Sequence, residues 1–595
     1  MSATPTEPRT SLAAQLAPTG KKRWIPRSAL IALASRLVCG VVLLLVAGAL
    51  PWMSRIDPAA AILRARYAEL EPSPEALAAV REQLGLDRGP LAVSLTWWKE
   101  VFQGNLGHSW VSGSEVGPGA FGALGVSLTL TVFALVVAFS TLIALITPAS
   151  LRVLKGQPQK GSGPVGVALT AMPEFLLASA LLVIVGVQLQ WLPPYGWTGL
   201  DTAILPALAL GLPAGGLMGR LMADAISGVA DERWVQVWRL AGARPGTILC
   251  GVYRRALTSI IDQVGLVFIG LLGGAVAVEQ VFAIPGIGRY LLGAAKSQDI
   301  PALQAGILLI ALIAVGLGAA TSGARLLLSG GRLPAGSLQP PPEAKHNPKV
   351  SIITACVSGG LLVLMLLFGL FRDAYSSSHE RIEVPSLGLP FGADPSGRDV
   401  LARVANGALE TLIPAFVIVL LAIIIGTLLS FLGEAVRGPI EIANATPPIL
   451  AGVIIAALTG PSIYGATVAV LWVTWPPLAS HAASLIEEAK ASAHIRWLPL
   501  VGAKPFEIWL FHIVPAMIGP LLRHGMLRLP GVALSLAALG FLGLGARPPR
   551  PEWGLLLSEG IDYVERAPWV TAAPASALIL ISVLAVALAG VRKQR

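Results

Sequence analysis

The run FGALGVSLTLTVFALVVAFSTLIALIT, residues 121–147, contains no Asp, Glu, Lys, Arg or His. A helix rises ~1.5 Å per residue, so a run of this length crosses the ~30 Å hydrocarbon core of a bilayer. Comparable runs lie near 34–53, 164–187, 203–223, 259–281 and 303–327. A second set lies near 351–371, 409–433, 443–460, 463–482, 521–545 and 570–591. Between the sets, residues 330–349 read GGRLPAGSLQPPPEAKHNPK. Proline lacks a backbone donor and breaks helices, so this stretch reads as a linker. The expected fold is therefore an all-α integral membrane protein of about twelve transmembrane helices, arranged as two halves of six.

Composition agrees. Only 13% of the 595 residues are charged, against roughly 25% in ordinary globular chains. Hydrophobic residues make up 54%, with 64 Gly besides, and mean hydropathy is +0.72. Soluble domains, disorder and collagen are excluded on these grounds. The three cysteines, Cys39, Cys250 and Cys356, are too far apart for a CxxC metal site or a disulfide framework. The net charge of +10 sits beside apolar runs, which marks it as a topology signal rather than a nucleic-acid surface.

Lys21, Lys22, Arg23 and Arg27 precede the first run, and Arg592, Lys593 and Arg595 follow the last. Arg152, Lys155 and Lys160 lie between the second and third runs, and Arg220, Arg233, Arg239, Arg244, Arg254 and Arg255 crowd the connection from the fourth to the fifth. Residues 54–118 are more acidic than basic. The positive-inside rule then places both termini and the linker in the cytoplasm. The expected domains are a cytoplasmic segment 1–33, a first bundle 34–328, a linker 329–350 and a second bundle 351–595. Segments 54–118 and 372–408 would face outward, and loops 230–256 and 490–516 inward. The first apolar run reads as a retained helix, because no small-residue cleavage site follows it.

A repeat crosses the linker. Leu240-Ala-Gly-Ala-Arg-Pro245 corresponds to Leu500-Val-Gly-Ala-Lys-Pro505, and an aromatic-basic stretch follows each copy. One copy is ordinary helix-stop chemistry; two copies in equivalent loops point to paired docking elements.

With these features the chain resembles the membrane permeases of binding-protein-dependent ATP-binding-cassette importers, in the dipeptide, oligopeptide and nickel branch. That family uses two permease polypeptides, and this chain resembles both fused. Leu84-Gly-Leu-Asp87, Gly104-Asn-Leu-Gly-His-Ser109, Glu279-Gln-Val-Phe-Ala-Ile-Pro-Gly-Ile-Gly-Arg289 and Asp299-Ile-Pro301 with Gln304 resemble the first-type subunit. Pro390-Phe-Gly-Ala-Asp-Pro-Ser-Gly-Arg-Asp399, Phe541-Leu-Gly-Leu-Gly545, Pro548-Pro549, Pro551-Glu-Trp-Gly554 and Leu557-Ser-Glu-Gly560 resemble the second. The motif positions so marked are Gly107, Glu279, Pro285, Gly286, Asp394, Gly397, Arg398, Asp399, Glu441, Trp553 and Gly554.

The resemblance implies two six-helix permease bundles about a pseudo-two-fold axis and an importer of short peptides in a bacterial inner membrane. Two ATP-binding-cassette domains would carry ATP and magnesium, and an extracytoplasmic binding protein would deliver the substrate. It also implies two coupling loops, each a cytoplasmic helix–turn–helix of pattern E-A-A-x3-G-x9-I-x-L-P that fits a groove on the ATPase subunit. The first copy falls on Gln236, Val237, Trp238, Gly242, Val252, Arg254 and Arg255; the second on Arg496, Trp497, Leu498, Gly502, His512, Val514 and Pro515. Ala243 and Ala503 follow the two glycines. The Glu is lost twice and the Ala pair becomes bulky, with Trp238 and Trp497 either as apolar docking knobs or as interfacial residues.

No phosphate loop GxxxxGK[ST] occurs, nor an HExxH or GxSxG. No catalytic residue, resident cofactor or metal site is therefore expected in this chain, and no nucleic-acid partner. Ionised groups in hydrocarbon cost several kcal/mol unless they face water or a partner. Glu174, Asp262, Glu279, Glu410, Glu434 and Glu441 lie in or beside apolar runs, and Glu174 and Asp262 are the candidates for a translocation path. Nickel chelates or another small solute stay open as cargo. A twelve-span secondary transporter is the rival reading.

Overall fold

The computed structural model describes residues 73–83, 89–159, 164–329, 348–444 and 446–590, with a few single positions between Ile31 and Leu63. The expected first span at 34–53 therefore lies almost wholly outside the described residues. So do the Leu84–Asp87 motif, residues 330–347 of the linker, and 591–595.

In the first half, α1 (Pro74–Gln83) and α2 (Pro90–Phe102) lead to α3 (Val116–Leu154). Then come α4 (Pro164–Ala171), α5 (Glu174–Leu181) with a π-helical extension Leu182–Gln188, and α6 (Leu200–Ala230). The half closes with α7 (Arg233–Leu240), α8 (Pro245–Val281), α9 (Ile287–Ser297) and α10 (Ile300–Ser329). The second half runs through α11 (Pro348–Gly369), α12 (Val400–Ser430), α13 (Arg437–Asn444), α14 (Pro448–Thr459) and α15 (Ile463–Ala491). It ends with α16 (Ala493–Trp497), α17 (Pro505–Ile508), α18 (Val514–Met526), α19 (Leu529–Phe541), α20 (Trp553–Ile561) and α21 (Pro568–Gly590).

The all-α membrane architecture is as expected: among the described residues eight helices are long and apolar enough to span a bilayer. Three expected spans need correction. Segments 164–187 and 443–460 are not continuous. Pro173 separates α4 from α5, and Pro447 precedes α14, because each ring removes a donor and obstructs the preceding turn. The helical segment that carries the span placed at 521–545 begins earlier, at Pro505, and is interrupted at Leu527 and Arg528. The coupling stretches 230–256 and 490–516 each form a helix, a turn and a second helix, the arrangement the resemblance implies.

The halves share a packing plan. α3 lies along α6 in the first, as α12 lies along α15 in the second. Gly211 and Gly215 of α6 allow that approach: a Cβ at either would sit 2.5 Å from a backbone carbonyl of α3, at Ala134 or Ala138. Lipid tails supply no hydrophobic drive between helices, so such small-residue contacts carry the association. One core runs through both halves. Across the junction Phe175 meets Phe541 at 5.5 Å, and Gln298 Nε2 donates to Ala457 O at 3.1 Å.

Candidate translocation path and coupling elements

The repeated loops fold alike. α7 ends at Gly242 with φ +76°, and the turn after α16 ends at Gly502 with φ +85°. In the first turn Gly242 N donates to Arg239 O and Ala243 N to Trp238 O, both at 3.0 Å. In the second Gly502 N donates to Pro499 O at 3.2 Å and Ala503 N to Leu498 O at 3.1 Å. This pair of bonds closes a helix through a left-handed residue, a role that suits glycine. A proline then starts the next helix in each copy, Pro245 in α8 and Pro505 in α17.

Their side chains sort alike too. Val235 and Ile495 are buried, as are Ile248 and Ile508. Gln236 and Arg496 are exposed, together with Val237 and Trp497 (60% and 65%) and Leu240 and Leu500 (90% and 74%). Each element thus holds itself by one buried face and offers an apolar face outward.

The two tryptophans are not equivalents. Trp497 matches Val237 and stands free, whereas Trp238 packs edge-on against Trp234 at 5.0 Å. Trp234 Nε1 donates to Glu232 Oε2 at 2.6 Å, and Arg255 Nη2 pairs with Glu232 at 3.4 Å. Arg239 Nη2 donates to Val153 O at 3.1 Å, which ties α7 to the end of α3. Pro515 is exposed on α18.

The opposite end of each bundle is built from the quoted motifs. Gly107, at φ +90°, carries the chain past Pro301. Ser109 Oγ and Trp110 N both donate to the Asp299 carboxylate, so residues 104–109 dock on 299–301. Glu279 is fully buried; it accepts from Ser127 Oγ and, at 3.0 Å, from Arg289 N in the first turn of α9. Pro285 and Gly286 make that turn, and a Cβ at Gly286 would overlap the Glu279 carboxyl.

In the second half Asp394 accepts from Ser396 N (2.7 Å), Arg398 N (3.0 Å), Arg398 Nε (2.7 Å) and Arg403 Nη1 (2.6 Å). Arg403 Nη1 also reaches Glu559 Oε2 at 2.8 Å. Gly397 turns the loop at φ +78°. Asp399 caps α12 through Leu401 N and Ala402 N and pairs with Arg372. Trp553, fully buried, donates Nε1 to Val404 O at 2.8 Å, while Gly554 N donates to Glu552 Oε1 at 2.9 Å. Sequence reasoning missed Arg403 and Arg372. Arg403 stands four residues after Asp399, a helical spacing that would have pointed it at the same cluster.

The two proline breaks meet. Glu174 opens α5 next to Gly274 of α8, and Pro447 lies against Gly273, the neighbouring residue. A carboxylate at a broken helix and a proline from the other half thus converge on one point of α8. Broken helices meeting across an internal repeat are a recurrent way to build a substrate site inside a membrane. Asp262 is on α8 and Glu441 on α13, but both side chains lie outside the described residues, as does that of Glu434. Glu410 is elsewhere, 3.5 Å from Arg550 Nη1. Among the described residues no group of three metal-ligating side chains occurs.

Two bundles on one packing plan, with matched turns at one end and buried carboxylate networks at the other, define a multi-pass membrane permease. The sequence matches the family described as binding-protein-dependent transport system inner membrane component twice, over residues 137–330 and 413–595. The chain belongs to that family and carries its domain in duplicate. It is 32% identical over 228 residues to the di/tripeptide transport system permease protein DppC of Pseudomonas aeruginosa, covering 37% of this chain and 75% of that one. It is 34% identical over 207 residues to the peptide transport system permease protein SapC of Escherichia coli, with coverage of 33% and 70%. It is 29% identical over 265 residues to the metal-staphylopine import system permease protein CntB of Staphylococcus aureus, with coverage of 44% and 84%.

Proposed function

We propose that this chain supplies both permease subunits of an ATP-driven importer of short peptides, residing in a bacterial inner membrane with both termini cytoplasmic. The observation that carries this reading is the pair of identical hydrogen-bonded turns at Gly242 and Gly502, each flanked by an exposed apolar face. Two such elements suit two ATP-binding-cassette domains, one per half, docking at 230–256 and 490–516. Gln236, Val237, Leu240, Arg496, Trp497 and Leu500 form the contact faces, and ATP and magnesium belong to the partners. A binding protein loaded with substrate docks on 54–118 and 372–408 at the other end.

Peptide cargo is supported by the names of the DppC and SapC relatives. Nickel or another metal chelate is the second reading, favoured by the similarity to CntB. Within the bundle Glu174, beside Gly274 at the start of α5, would meet a cationic group such as a peptide amine, with Asp262 as a second acid on the same path.

The test is reconstitution of the chain with its cognate ATPases and binding protein in proteoliposomes. A dipeptide should stimulate ATP hydrolysis and accumulate, and Glu174→Gln should weaken uptake of peptides with a free amine more than of N-acetylated ones. Stimulation by a metal chelate and not by peptides would move the cargo to the second reading. Uptake driven by a proton gradient without ATPase would end the importer reading.

A further inference from the structure

The second half contains a cavity of about 1530 Å³ at the end of the bundle that carries the coupling element. Small-molecule pockets occupy roughly 300–1,000 Å³, so this one is large. Its floor is apolar, with Leu485 of α15, Met526 of α18, and Ile581, Leu584 and Leu588 of α21. Its rim is basic. Arg523 and His524 of α18 face His481 of α15, and the two imidazoles stack at 4.2 Å. Behind them Arg528, at the break between α18 and α19, donates Nε to His524 Nε2 at 3.4 Å. Among the described residues neither Arg523 nor Arg528 forms an ion pair; Glu488 is the carboxylate on the rim.

Among the described residues the corresponding place in the first half is closed. The residues 260 positions earlier than His481, Arg523, His524 and Arg528 are Leu221, Gln263, Val264 and Phe268. There, α8 closes on α10: Arg254 Nε donates to Leu328 O at 3.0 Å, and a Cβ at Gly265 would lie 2.6 Å from Thr321 Cγ2. In the second half α18 and α21 stand apart and leave the cavity between them.

We infer that this cavity holds an anionic glycerophospholipid, with its phosphate at Arg523 and the His481–His524 pair and an acyl chain along Ile581, Leu584 and Leu588. An arginine inside a span calls for a partner of opposite charge, and basic pockets between transmembrane helices are natural seats for anionic headgroups. His494 and Ile495 of the coupling helix α16 line the same space. The bound lipid therefore props the second coupling element, a job that direct helix contact performs in the first half. This goes beyond the transport reading and depends only on the chain lying in a bilayer.

The test uses the purified full chain in neutral detergent, titrated separately with phosphatidylglycerol and phosphatidylcholine and followed by native mass spectrometry. Phosphatidylglycerol should bind at least tenfold more tightly, with an affinity that falls as salt is raised. Arg523→Gln, an exposed position, should lower that affinity roughly fivefold and leave phosphatidylcholine unchanged, while Arg523→Lys should keep most of it. Equal affinity for the two lipids would overturn the proposal, and so would an Arg523→Gln protein that retains full preference. Displacement of phosphatidylglycerol by leucyl-leucine would assign the cavity to the peptide path instead. No nucleotide, ATPase or transport enters the measurement, so the importer reading can fail without affecting it.

Discussion

Gly242 and Gly502 stand 260 residues apart, and both close a helix at positive φ, +76° and +85°, with the same two backbone hydrogen bonds. A Cβ at either position would meet nothing within 4 Å. The glycine requirement is therefore conformational and not one of space. A β-branched side chain held in the left-handed region costs ~1–2 kcal/mol, so a valine there would strain the turn that positions the exposed face.

Gly502→Val should accumulate normally, because the site is exposed and outside the apolar spans, yet lose ATPase copurification and uptake several-fold or more. Gly502→Asn, which tolerates the left-handed region, should retain most of both. If the Val variant copurifies and transports like the parent at matched abundance, the turn has no part in coupling.

Asp394 and Arg403 are almost fully buried, at 1% and 3% side-chain exposure, and lie 2.6 Å apart. Removing one partner of such a pair leaves an uncompensated charge, which costs ~3–5 kcal/mol. Asp394→Ala should therefore lower the melting temperature of the detergent-solubilised chain sharply and reduce its yield. The double variant Asp394→Ala, Arg403→Met should recover much of the loss. Equal melting temperatures for the single variant and the parent would show that the network contributes nothing to stability.

Membrane class, the duplication and the paired turns were all legible in the sequence, since each rests on local features: apolar run length, charge placement, and a six-residue repeat. Helix interruptions were less so. Pro173 and Pro447 are visible as letters, but Pro206 and Pro213 sit inside an unbroken α6, so a proline alone does not decide between a break and a tolerated kink. The partnership of Arg403 with Glu559 was also hidden, because Glu559 is 156 residues away in sequence.

Glu552 lies in the connection between α19 and α20, outside the spans, and burial pushes its carboxyl up to about 7, against the opposing hydrogen bonds from Gly554 and Leu555. Between its ordinary 4.5 and about 7 the folded state holds a proton that the unfolded state has released. Stability from this group therefore falls as pH rises through that interval, and is level below and above it. Melting curves of Glu552→Gln should lack this component. A parent and variant with parallel pH profiles from 4.5 to 7.5 would contradict the assignment.

Gly273 of α8 lies where the two halves touch: a Cβ there would overlap Pro447 Cβ, whereas a Cβ at Gly270, one turn earlier, would meet nothing within 4 Å. Alanine is favoured over glycine in a helix by ~1 kcal/mol, so Gly270→Ala should be neutral or slightly stabilising and should transport normally. Gly273→Ala gains the same propensity but must push α8 and the start of α14 apart, and it shifts the neighbouring Gly274 relative to Glu174. The expected result is a folded protein of parental abundance whose uptake falls at least tenfold. Its basal affinity for the ATPase partners should be unchanged, because the turn at Gly242 precedes the start of α8 and Gly273 lies near its other end. The pair of variants separates path geometry from helix stability: equal uptake by Gly273→Ala and Gly270→Ala would remove the Gly273–Pro447 contact from the translocation path.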